Sequence, residues 1–389
     1  MAIYLDYAAT CPMPADVQAE YAQALHLVGN PSSIHQAGQQ ARNLIENARA
    51  VIAGYVGVEP MEVSFTSGGT ESINTWIKGR VFAHRKARPG EDVFIALTRA
   101  EHHASLDAVE WLDASGFATP LWIDVDSDAV MDLAHLDAQL SAVPAGSVAG
   151  LTTLVANNEV GSLQPLSEIA AIAREHSVPV HLDAVQGFGS IPLSLSELGV
   201  DAMSISAHKL GGPVGVGALV VSRAASPLDS LIHGGGQQVS RSGTLDAAGA
   251  VAFSHAAMST FERSPSEREQ RRGLRDALID GLGVLEGVSV RGSSNRLDNN
   301  VHITMEGASG EVALYLLDAE GIYVSTGSAC QAGVAESSHV VSAMGLGDQA
   351  ARSALRFTLG YATTQAEITR VLEVFPSVLE RARVAGYPS

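Results

Sequence analysis

The chain has 389 residues, more than a single hydrophobic core usually supports, so two domains are expected. Hydrophobic residues make up 46% of the chain and charged residues 17%, a balance that excludes a disordered protein. The formal net charge of −18 disfavours nucleic acid and anionic membranes as the main partners.

The cysteine content and the first residues indicate a reducing compartment. The chain has two cysteines, Cys11 and Cys330, which is too few for a disulfide framework. The N-terminus lacks the basic start and the apolar run of a signal peptide, and no apolar stretch is long enough to span a bilayer. We therefore expect a soluble, cytoplasmic protein.

The spacing of apolar residues alternates between the helical and the strand period along the first two thirds of the chain. Residues 36–56 have helical spacing, and Gly57 follows them as a C-cap glycine does. Strands are predicted at 62–66, 93–97, 150–155, 178–183 and 202–206, and helices at 70–85, 105–114 and 168–176. This alternation predicts an α/β fold, with a mainly parallel sheet between two layers of helices.

The pattern changes near Ala247. Pro265 and Glu267 are typical of a helix start, and the arginine-rich helix that they open is predicted to run to residue 282. A strand at 300–304, a helix at 311–319 and a strand at 322–325 follow. This order indicates a second, smaller α+β domain.

Lys209 is one of three lysines in the chain, and it comes just after the apolar strand at 202–206. Burial penalises a charged ammonium group and favours the neutral amine, which is a nucleophile. A lysine in this position is typical of enzymes that form a Schiff base with a carbonyl substrate or with pyridoxal phosphate.

Residues 65–72 form a strand, a glycine turn and a helix start, in that order. The first N–H groups of a helix and its positive end bind anions, most often phosphate. The segment is neither G-x-G-x-x-G nor a P-loop, which disfavours a nucleotide-binding fold. An ordinary strand-to-helix turn is the alternative interpretation.

Polar side chains follow several of the predicted strands, at the edge where an open α/β sheet binds its ligand. Asp183 and Gln186 end one strand; Asp183 either holds a pyridinium nitrogen protonated or caps a helix. His102 and His103 follow another strand as a polar rim, and with no third ligand at useful spacing we predict no metal site. Asn158 lies in a segment that suits either a turn or a ligand contact.

Two further features lie in the last third of the chain. Cys330 is in a loop of small and polar residues, 325–333, which favours an exposed, nucleophilic thiol over a buried, inert one. Arg352 and Arg356, four residues apart, either share a helical face or straddle the end of a helix. An arginine fork suits a substrate carboxylate, and a surface ion pair is the commoner alternative.

Taken in order, these motifs resemble the cysteine desulfurases, pyridoxal-phosphate enzymes of the class V aminotransferase superfamily. The segments that carry the resemblance are 4–10, 30–35, 66–72, 157–161, 181–186, 206–209, 233–238, 241–244, the Cys330 loop and 356–360. Each motif is weak alone, but their number and order are specific. The Cys330 loop is similar to that of the long-loop group of the family.

The resemblance implies a type I pyridoxal-phosphate transferase fold with a mainly parallel seven-stranded sheet. It places a large domain at 14–255 and a small domain, which carries the catalytic cysteine loop, at 1–13 and 256–389. The residues implied to bind pyridoxal 5'-phosphate are Gly69, Thr70, His102, Asn158, Asp183, Gln186, Ser206, His208, Lys209 and Thr244, the last from the partner subunit of a homodimer.

The resemblance also implies the reaction. Lys209 carries the cofactor and moves the substrate α-proton, His102 stacks on the cofactor ring, and Cys330 takes the sulfur of L-cysteine as a persulfide, leaving alanine. Arg356, helped by Asn30, binds the substrate carboxylate. The sulfur then passes to an acceptor protein, an iron–sulfur scaffold or a tRNA-thiolation protein.

The sequence departs from the family pattern in places that leave these groups intact. Cys11 replaces a threonine and introduces a second thiol near the expected site. An aminotransferase or β-lyase without persulfide chemistry is the alternative enzyme, and a non-catalytic sulfur-relay partner is the alternative of another class. The presence of Lys209, Asp183 and Cys330 argues against the non-catalytic alternative.

Overall fold

The structure is a computed structural model that describes residues 2–225, 227–263, 265–327 and 337–386. Its α-helices are α1 (Ala15–Ala24), α2 (Gln36–Val56), α3 (Gly69–Ala87), α4 (His103–Ala114), α5 (Leu133–Ser141), α6 (Leu166–Glu175), α7 (Leu195–Leu198), α8 (Ala247–Phe261), α9 (Pro265–Gly283), α10 (Gly310–Ala319), α11 (His339–Ala343), α12 (Gly347–Arg352) and α13 (Gln365–Ala385). Its strands are β1 (Ile3–Tyr4), β2 (Val63–Thr66), β3 (Phe94–Thr98), β4 (Thr119–Ile123), β5 (Val148–Leu154), β6 (Val180–Asp183), β7 (Ala202–Ser206), β8 (Gly217–Val221), β9 (Val288–Arg291), β10 (Asn300–Met305), β11 (Ile322–Tyr323) and β12 (Ala354–Thr358). Short 3₁₀ helices cover Pro60–Glu62 and Ala207–Leu210.

The larger sheet of the described residues has seven strands in the order β2-β8-β7-β6-β5-β3-β4. Strands β3 to β7 pair in parallel, and β8 runs antiparallel to both of its neighbours. The buried strands β5 and β6 have no exposed residue, as expected for a sheet covered on both faces. The predicted α/β class with a mainly parallel seven-stranded sheet is confirmed.

Two hydrophobic clusters cover the two faces of this sheet. One packs α2 and α8 with side chains from β2, β5, β6 and β7. The other packs α3 and α4 around Trp76 and Leu97. Parallel strands joined by helices place the carboxyl ends of β3, β5, β6 and β7 at one edge of the sheet, where polar residues follow them.

A separate cluster forms the core of the smaller part of the molecule. The sheet β12-β10-β9 is antiparallel, and its strand β10 alternates polar Asn300, His302 and Thr304 with apolar side chains. The apolar side chains pack with α9, α10 and α13. Ile3 and Leu5 from the N-terminus join this cluster, so both ends of the chain contribute to the smaller part.

The predicted elements lie close to the observed ones, and the differences have physical causes. The helix predicted at 168–176 begins earlier, at Leu166, with Pro165 as its N-cap residue. Strands β4 and β8 and helix α5 were not predicted from the sequence. The predicted domain limits stay a prediction, and the position after residue 255 falls inside α8. Among the described residues, no helix has the length and the apolar character needed to cross a membrane.

Candidate active site

A cavity of about 350 Å³ opens at the carboxyl edge of the larger sheet. The predicted site residues that line it are Gly69, Thr70, His102, Asn158, Asp183, Gln186, Ser206, His208, Lys209 and Arg356. They come from the ends of four strands, from the start of α3 and from β12, so the fold collects residues that are far apart in the sequence. Cys330 lies outside the described residues.

Lys209 lies in the 3₁₀ helix that follows β7 and is half-buried. Its Nζ donates to the backbone oxygens of Ala8, at 2.5 Å, and Ala9, at 2.9 Å. These two carbonyls hold the amine at the cavity in a fixed direction. The N-terminal segment therefore contributes directly to the position of Lys209, because residues 8 and 9 are brought there by tertiary folding.

Asp183 ends β6 and is 2% exposed. Its Oδ1 accepts the Val185 N–H at 3.0 Å, but no helix begins at that point, so the helix-capping alternative does not hold. Burial raises the pKa of Asp183 to about 6, an effect that the Val185 N–H and the charge of Lys209 partly offset. A buried carboxylate that still ionises near neutral pH suits a cationic partner in the cavity.

His102 is the N-cap residue of α4, and its Nδ1 accepts the Ala104 N–H at 3.1 Å. Burial, with the charge of Lys209 as the next cause, lowers the pKa of His102 to about 4. The imidazole is therefore neutral near pH 7 and carries its proton on Nε2. The neutral ring lines the cavity as a flat, apolar surface with one polar edge.

The start of α3 has the features of an anion site. Gly68, the N-cap residue, has no side chain to cap the helix, so first-turn N–H groups are available to a ligand. A Cβ at Gly69 would lie 2.7 Å from the Val185 side chain, so any larger residue would force that side chain to move. Ser206 and His208 line the same end of the cavity, and burial lowers the pKa of His208 to about 4.

Arg356 is in β12 and is 5% exposed, whereas Arg352 ends α12, so the two arginines straddle the end of a helix. The Arg356 Nη2 pairs with Asp6 Oδ1 at 3.0 Å, and its Nη1 donates to the backbone oxygen of Asn158 at 2.8 Å. Its Nε is buried and has no hydrogen-bond partner among the described residues. A buried guanidinium with an unused donor beside a cavity suits an anionic ligand group.

Two predicted residues do not line the cavity. Asn30 is exposed just before α2, and its Oδ1 accepts the Ser32 N–H at 2.9 Å. Thr244 is exposed in a different recess, beside Thr66 and Ser67. In the single chain neither side chain therefore reaches the other predicted site residues.

The cavity also contains residues to which the sequence assigned no role. Glu159 is fully buried, and His339 lies with its Nδ1 3.6 Å from Glu159 Oε1 and its Nε2 2.9 Å from the backbone oxygen of Glu101. Ser338 donates to the same Glu159 carboxylate. The motif around Glu159 is visible in the sequence, but nothing in it indicates contact with residues that follow the Cys330 loop.

Cys11 lies beside a second, smaller recess that shares Lys209 and Gln186 with the cavity. Burial raises the pKa of Cys11 to about 11, although Arg263 and Arg271 act in the opposite direction. The thiol is therefore protonated near neutral pH, which makes it a poor nucleophile.

Comparison with known proteins identifies the family. A sequence profile of the family "Aminotransferase class-V" matches residues 3–371. The chain belongs to the class-V aminotransferase family. Among its relatives is an "IscS-like cysteine desulfurase" of Mycobacterium tuberculosis, 43% identical over 388 residues, with 98% of each chain covered.

Solved structures of this family share the fold. A "NifS-like protein" has a TM-score of 0.88 and 34% sequence identity, and the match covers 98% of this chain and 100% of that one. The structure named "SspA in complex with cysteine" has a TM-score of 0.80 and 29% identity, covering 93% of this chain and 100% of that one. These similarities confirm the predicted resemblance to the cysteine desulfurases of the class-V aminotransferase family.

Proposed function

We propose that the protein is a cysteine desulfurase, which converts L-cysteine to L-alanine and transfers the sulfur to Cys330. The observation that carries the proposal is the meeting of Lys209, Asp183, His102 and Arg356 in one cavity of a chain that is 43% identical to an IscS-like cysteine desulfurase. Gly327, three residues before Cys330 in the sequence, lines the same cavity.

The residues of the cavity fit pyridoxal 5'-phosphate. The close approach at Gly69 and the uncapped start of α3 suit a phosphate, together with Thr70, Ser206 and His208. The buried carboxylate of Asp183 suits a pyridine nitrogen, and Gln186 and Asn158 line the wall nearby with side-chain amides that suit the ring hydroxyl. When bound, this cofactor supplies a carbonyl for amines and a ring that accepts electrons from the substrate Cα.

The charged groups of the protein orient the substrate between them. Arg356 binds the carboxylate of L-cysteine through its buried guanidinium, whose Nε has no partner among the described residues. Lys209, aligned by the carbonyls of Ala8 and Ala9, receives the substrate α-proton on its Nζ. His102 presents a neutral ring and a single Nε2–H toward the cavity. The aminotransferase or β-lyase alternative would use these same groups.

The sulfur step distinguishes the two reactions. The thiolate of Cys330 attacks the sulfur of the bound cysteine, a sulfur–sulfur bond forms and the carbon–sulfur bond breaks. The electron pair of the broken bond stays with the three-carbon framework, which becomes alanine after protonation. Cys330 leaves the step as a persulfide and returns to a thiol when an acceptor takes the sulfur.

We also propose a homodimer in which Thr244 reaches the phosphate site of the partner subunit. Its exposed position outside the cavity of its own chain supports this arrangement. The acceptor would be a protein of iron–sulfur cluster assembly or of tRNA thiolation, in the reducing cytoplasm that keeps Cys330 as a thiol. Light scattering at micromolar concentration tests the dimer, and a monomer that binds cofactor with full occupancy would contradict it.

The proposed reaction is tested by measuring alanine and sulfide released from L-cysteine in the presence of a thiol reductant. The native protein is expected to give equal amounts of both, and Lys209→Ala to give neither. Cys330→Ala is expected to retain bound cofactor, seen in its visible absorbance, and to lose sulfide release. Unchanged activity of Cys330→Ala would instead indicate a lyase. Cys11→Ala is the matched control, since it removes the other thiol.

A further inference from the structure

Glu101 is a buried carboxyl group next to His102, which lines the cavity, and the proposed reaction does not use it. It lies between the end of β3 and the start of α4, and it is 1% exposed. Its Oε2 accepts the Leu154 N–H at 2.9 Å, and its Oε1 lies 2.9 Å from the Thr98 hydroxyl. The side chain thus joins the carboxyl ends of β3 and β5.

This position brings Glu101 close to a second buried carboxyl group. Glu101 accepts the N–H of Leu154, and Leu154 of β5 pairs in register with Asp183 of β6. Two carboxylates in one buried layer repel each other, so one of them is expected to keep its proton. Lys209 contributes a favourable charge to Asp183, whereas none of the ion pairs among the described residues includes Glu101.

The burial of Glu101 and the nearby Asp183 favour a neutral acid, and the hydrogen bonds of Glu101 accommodate one. One oxygen faces an N–H donor, as the carbonyl oxygen of a carboxylic acid requires. The other accepts from the Thr98 hydroxyl, whose oxygen also accepts the Ala100 N–H at 3.2 Å. When Glu101 carries a proton on Oε1, the second lone pair of this hydroxyl oxygen can accept it. Burial raises the pKa of Glu101 to about 8. The charge of Asp183 acts in the same direction, and the hydrogen bonds from Thr98 and Leu154 partly offset the rise.

We propose that Glu101 is a neutral carboxylic acid in the folded protein and a positioning residue for Asp183. It links β3 to β5 without adding charge, so that Asp183 is the ionised member of the pair. The protonation state is a property of the protein alone. The role toward the cofactor nitrogen rests on the proposed function, because there Asp183 is the partner of that nitrogen.

The first experiment compares unfolding midpoints of native protein and Glu101→Gln from pH 5 to pH 8.5, without cofactor. Glutamine has the shape of the neutral acid and does not titrate. Because the folded-state pKa is raised, Glu101 contributes stability that is complete below pH 4.5 and is lost as the pH rises to about 8. The unfolding midpoint of Glu101→Gln should therefore rise relative to that of native protein as the pH increases. The corresponding change in the ratio of the two unfolding equilibrium constants is up to about tenfold per pH unit.

Other titratable groups lie around Glu101, and their contributions must cancel in this comparison. They are Asp183 of β6, His102 and His103 at the start of α4, His339 of α11 and Lys209 of the 3₁₀ helix. All of them are present in both proteins, so the difference reports Glu101. A difference in midpoint that does not change with pH would overturn the proposal, because it would mean that Glu101 is ionised in the folded state.

The second experiment measures pyridoxal-phosphate affinity by absorbance from pH 5 to pH 8. The acid-side midpoint is the pH at which affinity has fallen to half as the pH is lowered. We expect it to be the same for native protein and Glu101→Gln, since a neutral acid replaced by an amide leaves the charge on Asp183 unchanged. A midpoint lower by about one pH unit in Glu101→Gln would show that Glu101 carries a charge, and would overturn the proposal.

Two further variants separate the causes. Glu101→Leu removes both hydrogen bonds, and we expect its cofactor affinity to fall about tenfold or more while Glu101→Gln stays within about threefold of native protein. Equal affinities of the two variants would refute the positioning role. Asp183→Asn should abolish the acid-side midpoint; if it does not, the proposed role of Asp183 fails, while the unfolding comparison still decides the state of Glu101.

Discussion

Replacing Arg356 by lysine tests the proposed carboxylate site, because it keeps the positive charge and removes the planar fork. In the structure, Nη2 pairs with Asp6 at 3.0 Å and Nη1 donates to the backbone oxygen of Asn158 at 2.8 Å. The buried Nε is the donor without a partner among the described residues. A lysine side chain ends in one ammonium group, which lacks the spread of a guanidinium. It cannot keep both protein contacts and bind a carboxylate as well.

The size of the effect follows from the bond that is lost. A hydrogen bond to a charged group contributes about 1.5–3 kcal/mol, which corresponds to about 10- to 150-fold in affinity. We therefore expect kcat/KM for L-cysteine to fall by about that factor in Arg356→Lys. Cysteamine is L-cysteine without the carboxylate, and its inhibition constant should change by less than about threefold, since the lost contact is absent from it.

The assay measures alanine formation for L-cysteine and inhibition by cysteamine, in native protein and each variant. Arg352→Lys is the matched control, because Arg352 is 55% exposed and pairs with Asp348 on the surface. We expect it to behave as the native protein does. Equal losses for L-cysteine and cysteamine in Arg356→Lys would refute the reasoning, because they would indicate a general distortion of the cavity.

Three other predictions follow from the same geometry. Asp183→Asn should weaken pyridoxal-phosphate binding at pH 7. In native protein, binding should weaken as the pH falls through about 6, where Asp183 takes up its proton. An absorbance titration checks both, and unchanged affinity in the variant would contradict the role assigned to Asp183. Gly69→Val should lower cofactor affinity at least about tenfold with an unchanged circular dichroism spectrum, because the valine side chain would fill the anion site at the start of α3. Gly360→Ala should lower the thermal midpoint and destabilise the protein by about 1–3 kcal/mol, because its Cβ would overlap the Tyr7 ring. Gly54→Ala, in α2 with open space around it, should instead raise the midpoint, and a similar drop in both variants would contradict this account.

Local sequence patterns were sufficient for the architecture of the larger part of the chain. Alternating periods predicted most of the strands and helices from residue 36 to residue 206, although not β4, α5 or α7, and the C-cap at Gly57 has the expected positive φ of 68°. These features depend on neighbours a few residues apart, which is the distance over which helical and strand periods act. The general rule for open α/β sheets then predicted that polar residues after the strands meet at one edge.

Tertiary structure decided the features that depend on residues far apart in the chain. The contact of Lys209 with Ala8 and Ala9 and the pairing of Arg356 with Asp6 join segments that are hundreds of residues apart, and no local pattern contains such pairings. It also excluded Asn30 from the cavity of the single chain.

Burial was the other quantity that only the folded chain could supply. Glu101 and Glu159 appear in the sequence as ordinary acidic residues beside the motifs. Each is removed from water by strand ends and loops that arrive from elsewhere in the chain, and burial is what raises the pKa of Glu101. The residue types that the proposed reaction needs were therefore visible in the sequence, whereas their protonation states and partners were set by packing, because desolvation depends on the whole surroundings of a group.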